Sequence, residues 1–188
     1  SMGLIGTNTY GVQEKNWGYR FIEKSAIDRK GYSSTADIGI GFSKPLMNEE
    51  LNVSVQFING EGYKKSQSDK YHKIALNATY GEQKLNKNDG YNAGLIYSTE
   101  ETDADPEIMM SLFGGYATNG IRLSGEYDVK TTGDIKEILI SASANYGLKD
   151  NMDIFVRYDM HDPDADVDED GDNYLIAGIV HDCGNGLS

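Results

Sequence analysis

The sequence predicts an all-β protein: an antiparallel up-and-down meander of about eight to ten strands, curved into a barrel that is complete or left open. Three observations predict it. From about Ser34 onward, short segments alternate in polarity with a period of two. The connections between them alternate in length and character. The composition, with 22 Gly, 3 Pro and 13 Tyr, suits many turns and aromatic strand ends. The 188 residues are enough for one domain with a real core and short for two. Residues 1–33 read as irregular or as one extra strand, with Trp17 and Tyr19 as packing candidates, and residues 34–183 read as the meander. Helical spacing is not evident anywhere.

The segments follow in order. Thr35–Ser43 alternates with glycine. In Leu51–Ile58, Leu51, Val53, Val55 and Phe57 share one face, and Asn52, Ser54 and Gln56 the other. In Lys73–Tyr80, Ile74, Leu76, Ala78 and Tyr80 oppose Lys73, Asn77 and Thr79. Tyr91, Ala93, Leu95 and Tyr97 align in the next. Ile108–Ala117 is apolar on both faces for part of its length. In Ile121–Lys130, Ile121, Leu123, Gly125, Tyr127 and Val129 oppose Arg122, Ser124, Glu126, Asp128 and Lys130. Ile138, Ile140, Ala142, Ala144 and Tyr146 oppose Ser141, Ser143 and Asn145. Met152, Ile154, Val156, Tyr158 and Met160 oppose Asp153, Arg157 and Asp159. Asn173–His181 is nearly continuous in apolar residues. Most are near the roughly 9–11 residues that a tilted membrane strand needs.

Lys44–Glu50, Thr118-Asn119-Gly120, Leu148–Asn151 and Gly184-Asn185-Gly186 read as turns. Asn59–Lys70, Thr99–Glu107, Thr131–Glu137 and Asp162–Asp172 read as longer loops, with Glu82–Gly90 the misfit on the short side. Short turns on one rim and long loops on the other describe a meander barrel. Tyr80, Tyr97, Tyr116, Tyr127, Tyr146 and Tyr158 lie near strand ends and extend the apolar face, where an amphipathic ring suits a membrane interface.

Several classes are excluded. With 17 Lys+Arg against 30 Asp+Glu, the net charge of -13 repels nucleic-acid phosphates. Cys183 is alone, so no internal disulfide or paired-Cys metal site can form. No apolar run reaches the roughly 20 residues of a membrane helix. No signal peptide is evident, and Ser1-Met2 reads as a cleavage scar before a native segment. His72, His161 and His181 are isolated, no G-x-S-x-G elbow occurs, and GIGFS at 39–43 opens no helix, so an enzyme is not expected.

The runs NWGYRFIEKSAID, FSKPL, LNVSVQFINGEGYKK, ALNATYGEQKL, IRLSGEYD, ISASANYGLKDNMDIFVRYDMHDP and DNYLIAGIV resemble bacterial outer-membrane porins, from about Trp17 to Val180. The resemblance implies a porin-like barrel fragment that lacks the signal peptide, the early strands and the closing C-terminal strand. It implies a parent in the bacterial outer membrane, with lipid or detergent as its surroundings, and passive diffusion of small hydrophilic solutes or ions.

Arg122, Glu126, Asp128, Lys130, Arg157 and Asp159 are the candidate pore-lining residues, because side-chain charge on a channel wall biases ion selectivity. Asp164, Asp166, Asp168, Asp170 and Asp172, with Gly171, resemble the start of a calcium loop. Ala177 stands where the bidentate Glu should be, so calcium is the weaker expectation beside a solvated acidic loop. Three functions follow. The first is the pore, as a single copy or a homo-oligomer. The second is a soluble calyx with Leu76, Leu95, Leu123 and Ile140 facing a dry interior. The third is a calcium-assisted surface module.

Overall fold

Each of the nine alternating segments forms a strand, and a tenth precedes them. The computed structural model describes residues 1–65, 70–149 and 151–183. Among these, β1 Met2–Gly6, β2 Ala36–Leu46, β3 Leu51–Ile58, β4 Lys73–Gly81, β5 Gly90–Glu100, β6 Glu107–Thr118, β7 Ile121–Thr132, β8 Ile135–Lys149, β9 Met152–Asp162 and β10 Asp172–His181 make one antiparallel sheet in chain order. Among the described residues β1 and β10 have one partner each, so the sheet is an open meander and not a closed barrel. The Gly184–Gly186 turn lies outside the described residues, as do residues 66–69 of the Asn59–Lys70 loop and Asp150 of the Leu148–Asn151 turn.

The turns follow local chemistry. Asn119 and Gly120 have φ of 47° and 79° and join β6 to β7 in two residues, as the twist of a hairpin favours. The long Thr131–Glu137 connection expected from sequence is corrected: Thr131, Thr132 and Ile135 extend the strands, and Gly133 and Asp134 alone turn the chain. β-Branched residues sustain pairing there where polarity suggested a loop. Gly94, on β5, lies opposite Phe113 of β6, whose ring fills the space a Cβ would take. Gly94→Ala should therefore cost about 1–3 kcal/mol through overpacking, read as a lowered urea midpoint.

Between β1 and β2 the chain leaves the sheet. Residues 7–35 carry two helices that sequence periodicity did not reveal, α1 Gly11–Trp17 and α2 Ala26–Arg29. α1 ends on Gly18 with φ of 81°, whose N–H donates to the Glu14 carbonyl at 2.8 Å. Val12, Gln13, Asn16 and Trp17 are its buried residues. This insert lies against the sheet, α1 touching β6 and β7 and α2 touching β8.

The insert decides where the core sits. Val12, Ala26, Ile27 and Tyr32 pack on Ile96, Met109, Phe113 and Leu139 of the wall. Trp17 and Tyr19 pack on Phe155, flanked by Ile176 and Val180. Trp17 lies edge-on to Phe155, with ring centroids 5.6 Å apart. This explains why β6 and β10 are apolar on both faces: one flank of each meets the insert.

The other face of the sheet is apolar and uncovered. Leu76, Leu95, Leu123 and Ile140 are 43%, 45%, 46% and 41% exposed, whereas Asn77, Asn92, Asp128 and Ser141 on the insert side are buried. The dry Leu- and Ile-lined interior of the calyx expectation is not what the chain builds. Tyr91, Tyr116 and Tyr146 also stand outward, near the short-turn rim. Burial is inverted relative to an ordinary soluble sheet, in which apolar side chains go inside.

Candidate functional site

The insert crosses the inner face from one side to the other on polar contacts. Gln56 Nε2 donates to the Gly6 carbonyl at 2.8 Å, and its Oε1 accepts from the Asn8 N–H at 2.9 Å. Asn77 Nδ2 donates to the Asn8 carbonyl at 2.8 Å. Asn16 and Asn92 exchange amide hydrogen bonds at 2.9 and 2.8 Å. Arg122 donates to the Trp17 carbonyl at 3.1 Å and Arg157 to the Lys24 carbonyl at 2.6 Å. Lys30 pairs with Asp172 at 2.6 Å. These partners lie on β3, β4, β5, β7, β9 and β10. A wall made of Asn, Gln, Ser and Arg thus holds an irregular segment by satisfying its backbone groups.

At the centre is a buried charge cluster. Asp159 Oδ2 accepts from Arg157 at 3.0 Å and from Arg29 at 3.1 Å, and its Oδ1 accepts from Ser141 at 2.7 Å. The Arg157 guanidinium lies 4.7 Å over the Trp17 ring, and that of Arg29 lies 4.1 Å over Tyr174. Glu126 Oε2 and both Asp128 carboxylate oxygens are buried without a hydrogen-bond partner. Beside them a polar cavity bordered by Gln13, Ser141, Ser143 and Arg157 has room for about one water.

Nearer the long-loop rim an alternating belt of charge runs across the inner face. Lys73 pairs with Glu100 at 3.0 Å and with Glu107 at 3.1 Å. Lys130 pairs with Glu107 at 3.7 Å and with Glu137 at 2.9 Å. His161 follows, 3.5 Å from Glu137 and 3.0 Å from Asp172. Lys73 and Glu100, Lys130 and Glu137, and His161 and Asp172 are directly opposite across a strand pair, while Lys130 meets Glu107 and His161 meets Glu137 diagonally and Lys73 reaches Glu107 past β5.

The insert carries perturbed groups of its own. Burial pushes the Glu14 carboxyl up, against the pull of Arg20. Burial and the nearby Lys84 lower Lys15. Burial, reinforced by Glu137 and Asp128, raises Tyr32. The folded chain therefore holds the Glu14 proton more tightly than the unfolded chain does. Stability from this group is complete below the ordinary carboxyl range and is lost as pH rises through the raised value. Glu14→Gln should flatten the pH dependence of unfolding over that window, read by urea titration at several pH values.

Compared with known families, with curated proteins and with solved structures, the chain finds no match.

All six residues proposed as pore-lining project from the face that carries the insert. Lys130 joins the belt and Arg122 holds the insert backbone, while Asp128, Arg157 and Asp159 are sealed beneath it. The five loop aspartates are not gathered. Asp166, Asp168 and Asp170 are exposed, Asp164 caps the Asp166 N–H, and Asp172 is held by Lys30 and His161. Among the described residues, no group of three His, Cys, Asp or Glu is placed to hold a metal ion.

Sequence reasoning missed Asn16, Arg29 and Asn92, and also the belt partners Lys73, Glu107 and Glu137. The belt residues sit where polar faces end in charge, a signal present in the strands. Asn16 and Arg29 sit in a segment without period and carry no such signal. Asn16→Leu should leave the Asn92 Oδ1 without a donor, while its Nδ2 still donates to the Glu82 carbonyl, and cost about 1–3 kcal/mol, and Asn16→Leu with Asn92→Asp should recover none of it. Urea denaturation of both variants measures this.

Proposed function

We propose that this chain forms part of the wall, and the inner constriction, of a membrane-spanning β-barrel pore for small hydrophilic solutes and ions. One observation carries the reading: the outward face is apolar and uncovered, and the inward face carries charged and amide groups around the apolar patches that seat the insert. Lipid explains the first and an aqueous lumen the second. Strands of 9–12 residues such as β4 to β7, tilted as barrel strands are, span about 25 Å, the height of an outer-membrane apolar band. The outward tyrosines near the turn rim suit an interfacial girdle.

The insert occupies the space against the wall, so the aqueous path runs along its free flank. Glu14, Lys15 and Arg20 are only partly buried there. β1 and β10 are both edges, so the lumen closes in the bilayer when each edge pairs with that of a second copy of this chain. Acidic loops at the long-loop rim raise the local concentration of cations and repel anions.

Reconstitution into planar bilayers tests this. Discrete conductance steps are expected, with a reversal potential in a salt gradient that shows cations passing preferentially. Protein that resides in the bilayer, shown by flotation with vesicles, yet gives no conductance would overturn the reading. So would steps that favour anions.

A further inference from the structure

The loop between β9 and β10 does not project freely from the rim. The Ala165 N–H donates to the Lys136 carbonyl at 2.9 Å, which draws the loop against the start of β8. Between loop and sheet lies a groove of about 550 Å³. Its floor is Tyr127, Ile138, Ile140 and Met160, on the outward apolar face. Val167, the loop's one large apolar side chain, borders the same groove. Its rim is carboxylate: Asp168, Glu169 and Asp170 are exposed, and among the described residues none of the three is in an ion pair. Lost hydration and the nearby Asp162 and Asp164 push the Asp170 carboxyl above its ordinary value.

We propose that this groove is a binding site for a single-chain membrane amphiphile with a cationic head group, its tail along Tyr127, Ile140 and Met160 and its head among Asp168, Glu169 and Asp170. The volume is within the range of small-molecule sites. Charge complementarity selects the head group: three uncompensated carboxylates at the end of an apolar trough attract an ammonium and repel a phosphate. The carboxylates are not clustered as metal ligands, which favours an organic cation over an anionic head bridged by a divalent ion. The proposal rests on the reading that the outward face meets lipid.

The test uses the full chain in dodecyl maltoside micelles, with amide NMR shifts of Ala165, Val167 and Gly171 as the readout. Dodecyltrimethylammonium should shift them saturably. The triple variant Asp168→Asn, Glu169→Gln, Asp170→Asn should bind about tenfold more weakly, and added salt should weaken binding too. Val167→Ser should weaken it about fivefold through lost apolar contact. All four positions are exposed, so these variants should fold. Tetramethylammonium, which has no tail, should give no saturable shift. Equal binding by wild type and triple variant would overturn the proposal. So would saturation by tetramethylammonium, or binding of dodecyl phosphate with magnesium in place of the cationic probe. The assay reads the groove in micelles, so it can fail while bilayer conductance succeeds, and the failure of the groove proposal is distinguishable from the failure of the pore.

Discussion

Leu95→Arg should cost about 2–4 kcal/mol and sharply reduce folding into lipid vesicles, because position 95 sits mid-strand on the outward face. Leu95 pairs with Ala78 on one side and Leu112 on the other, both turned the same way. On a soluble surface the same substitution at a 45% exposed position would change stability by no more than about 0.5 kcal/mol. The two environments thus predict effects several-fold apart for one residue. Urea titration of vesicle-embedded protein measures the cost. A parallel change near the rim, Tyr91→Arg, should cost only about 0–1 kcal/mol, since the penalty falls toward the interface. Equal, negligible effects at both positions would place the outward face in water.

Arg157→Ala should release the insert from the wall at a cost of about 3–5 kcal/mol, the range for breaking a buried ion pair. Arg157 is 2% exposed, and one side chain bonds the Lys24 carbonyl, pairs with Asp159 and stacks on Trp17. Arg29 and Ser141 still contact Asp159 after the change, which places the effect toward the lower end of the range. Trp17 is the chain's single tryptophan, so its emission reports the insert directly. It should move toward that of a solvated indole in Arg157→Ala. Because Arg29 still pairs with Asp159, removing that carboxylate as well, in Arg157→Ala with Asp159→Ala, should recover none of the stability. Unchanged Trp17 emission in Arg157→Ala would mean that the apolar contacts with Phe155 hold the insert without the arginine.

The wall was legible in the sequence because its signal is periodic. Leu51–Ile58 alternates without interruption, and the strand has those bounds. Strand ends were less legible where β-branched residues met polar ones, as at Thr131 and Thr132. The insert was not legible. α1 is seven residues long, has no side-chain cap at its start, and buries Gln13 and Asn16 alongside Val12 and Trp17. A hydrophobic pattern cannot mark a helix whose buried face is half amide. The pairing of Asn16 with Asn92 is likewise invisible, since the two are far apart in sequence and each is an ordinary polar residue on its own. Which strand face turned inward was also left open by sequence. The insert settles it, because its own apolar and amide side chains need a wall that offers Ile96, Met109 and Phe113 between polar partners.

Accessibility along β7 tests the orientation of the wall most directly. Spin labels are attached through single cysteine substitutions at each position from Ile121 to Thr132, in a Cys183→Ser background, in lipid vesicles. Collision with oxygen, which partitions into hydrocarbon, should peak at 121, 123, 125, 127 and 129. Positions 122, 124, 126 and 128 should show little oxygen contact and should respond instead to the insert through Arg157→Ala. A water-soluble nickel complex reaching the odd positions as freely as a loop residue such as Asp134 would contradict the account.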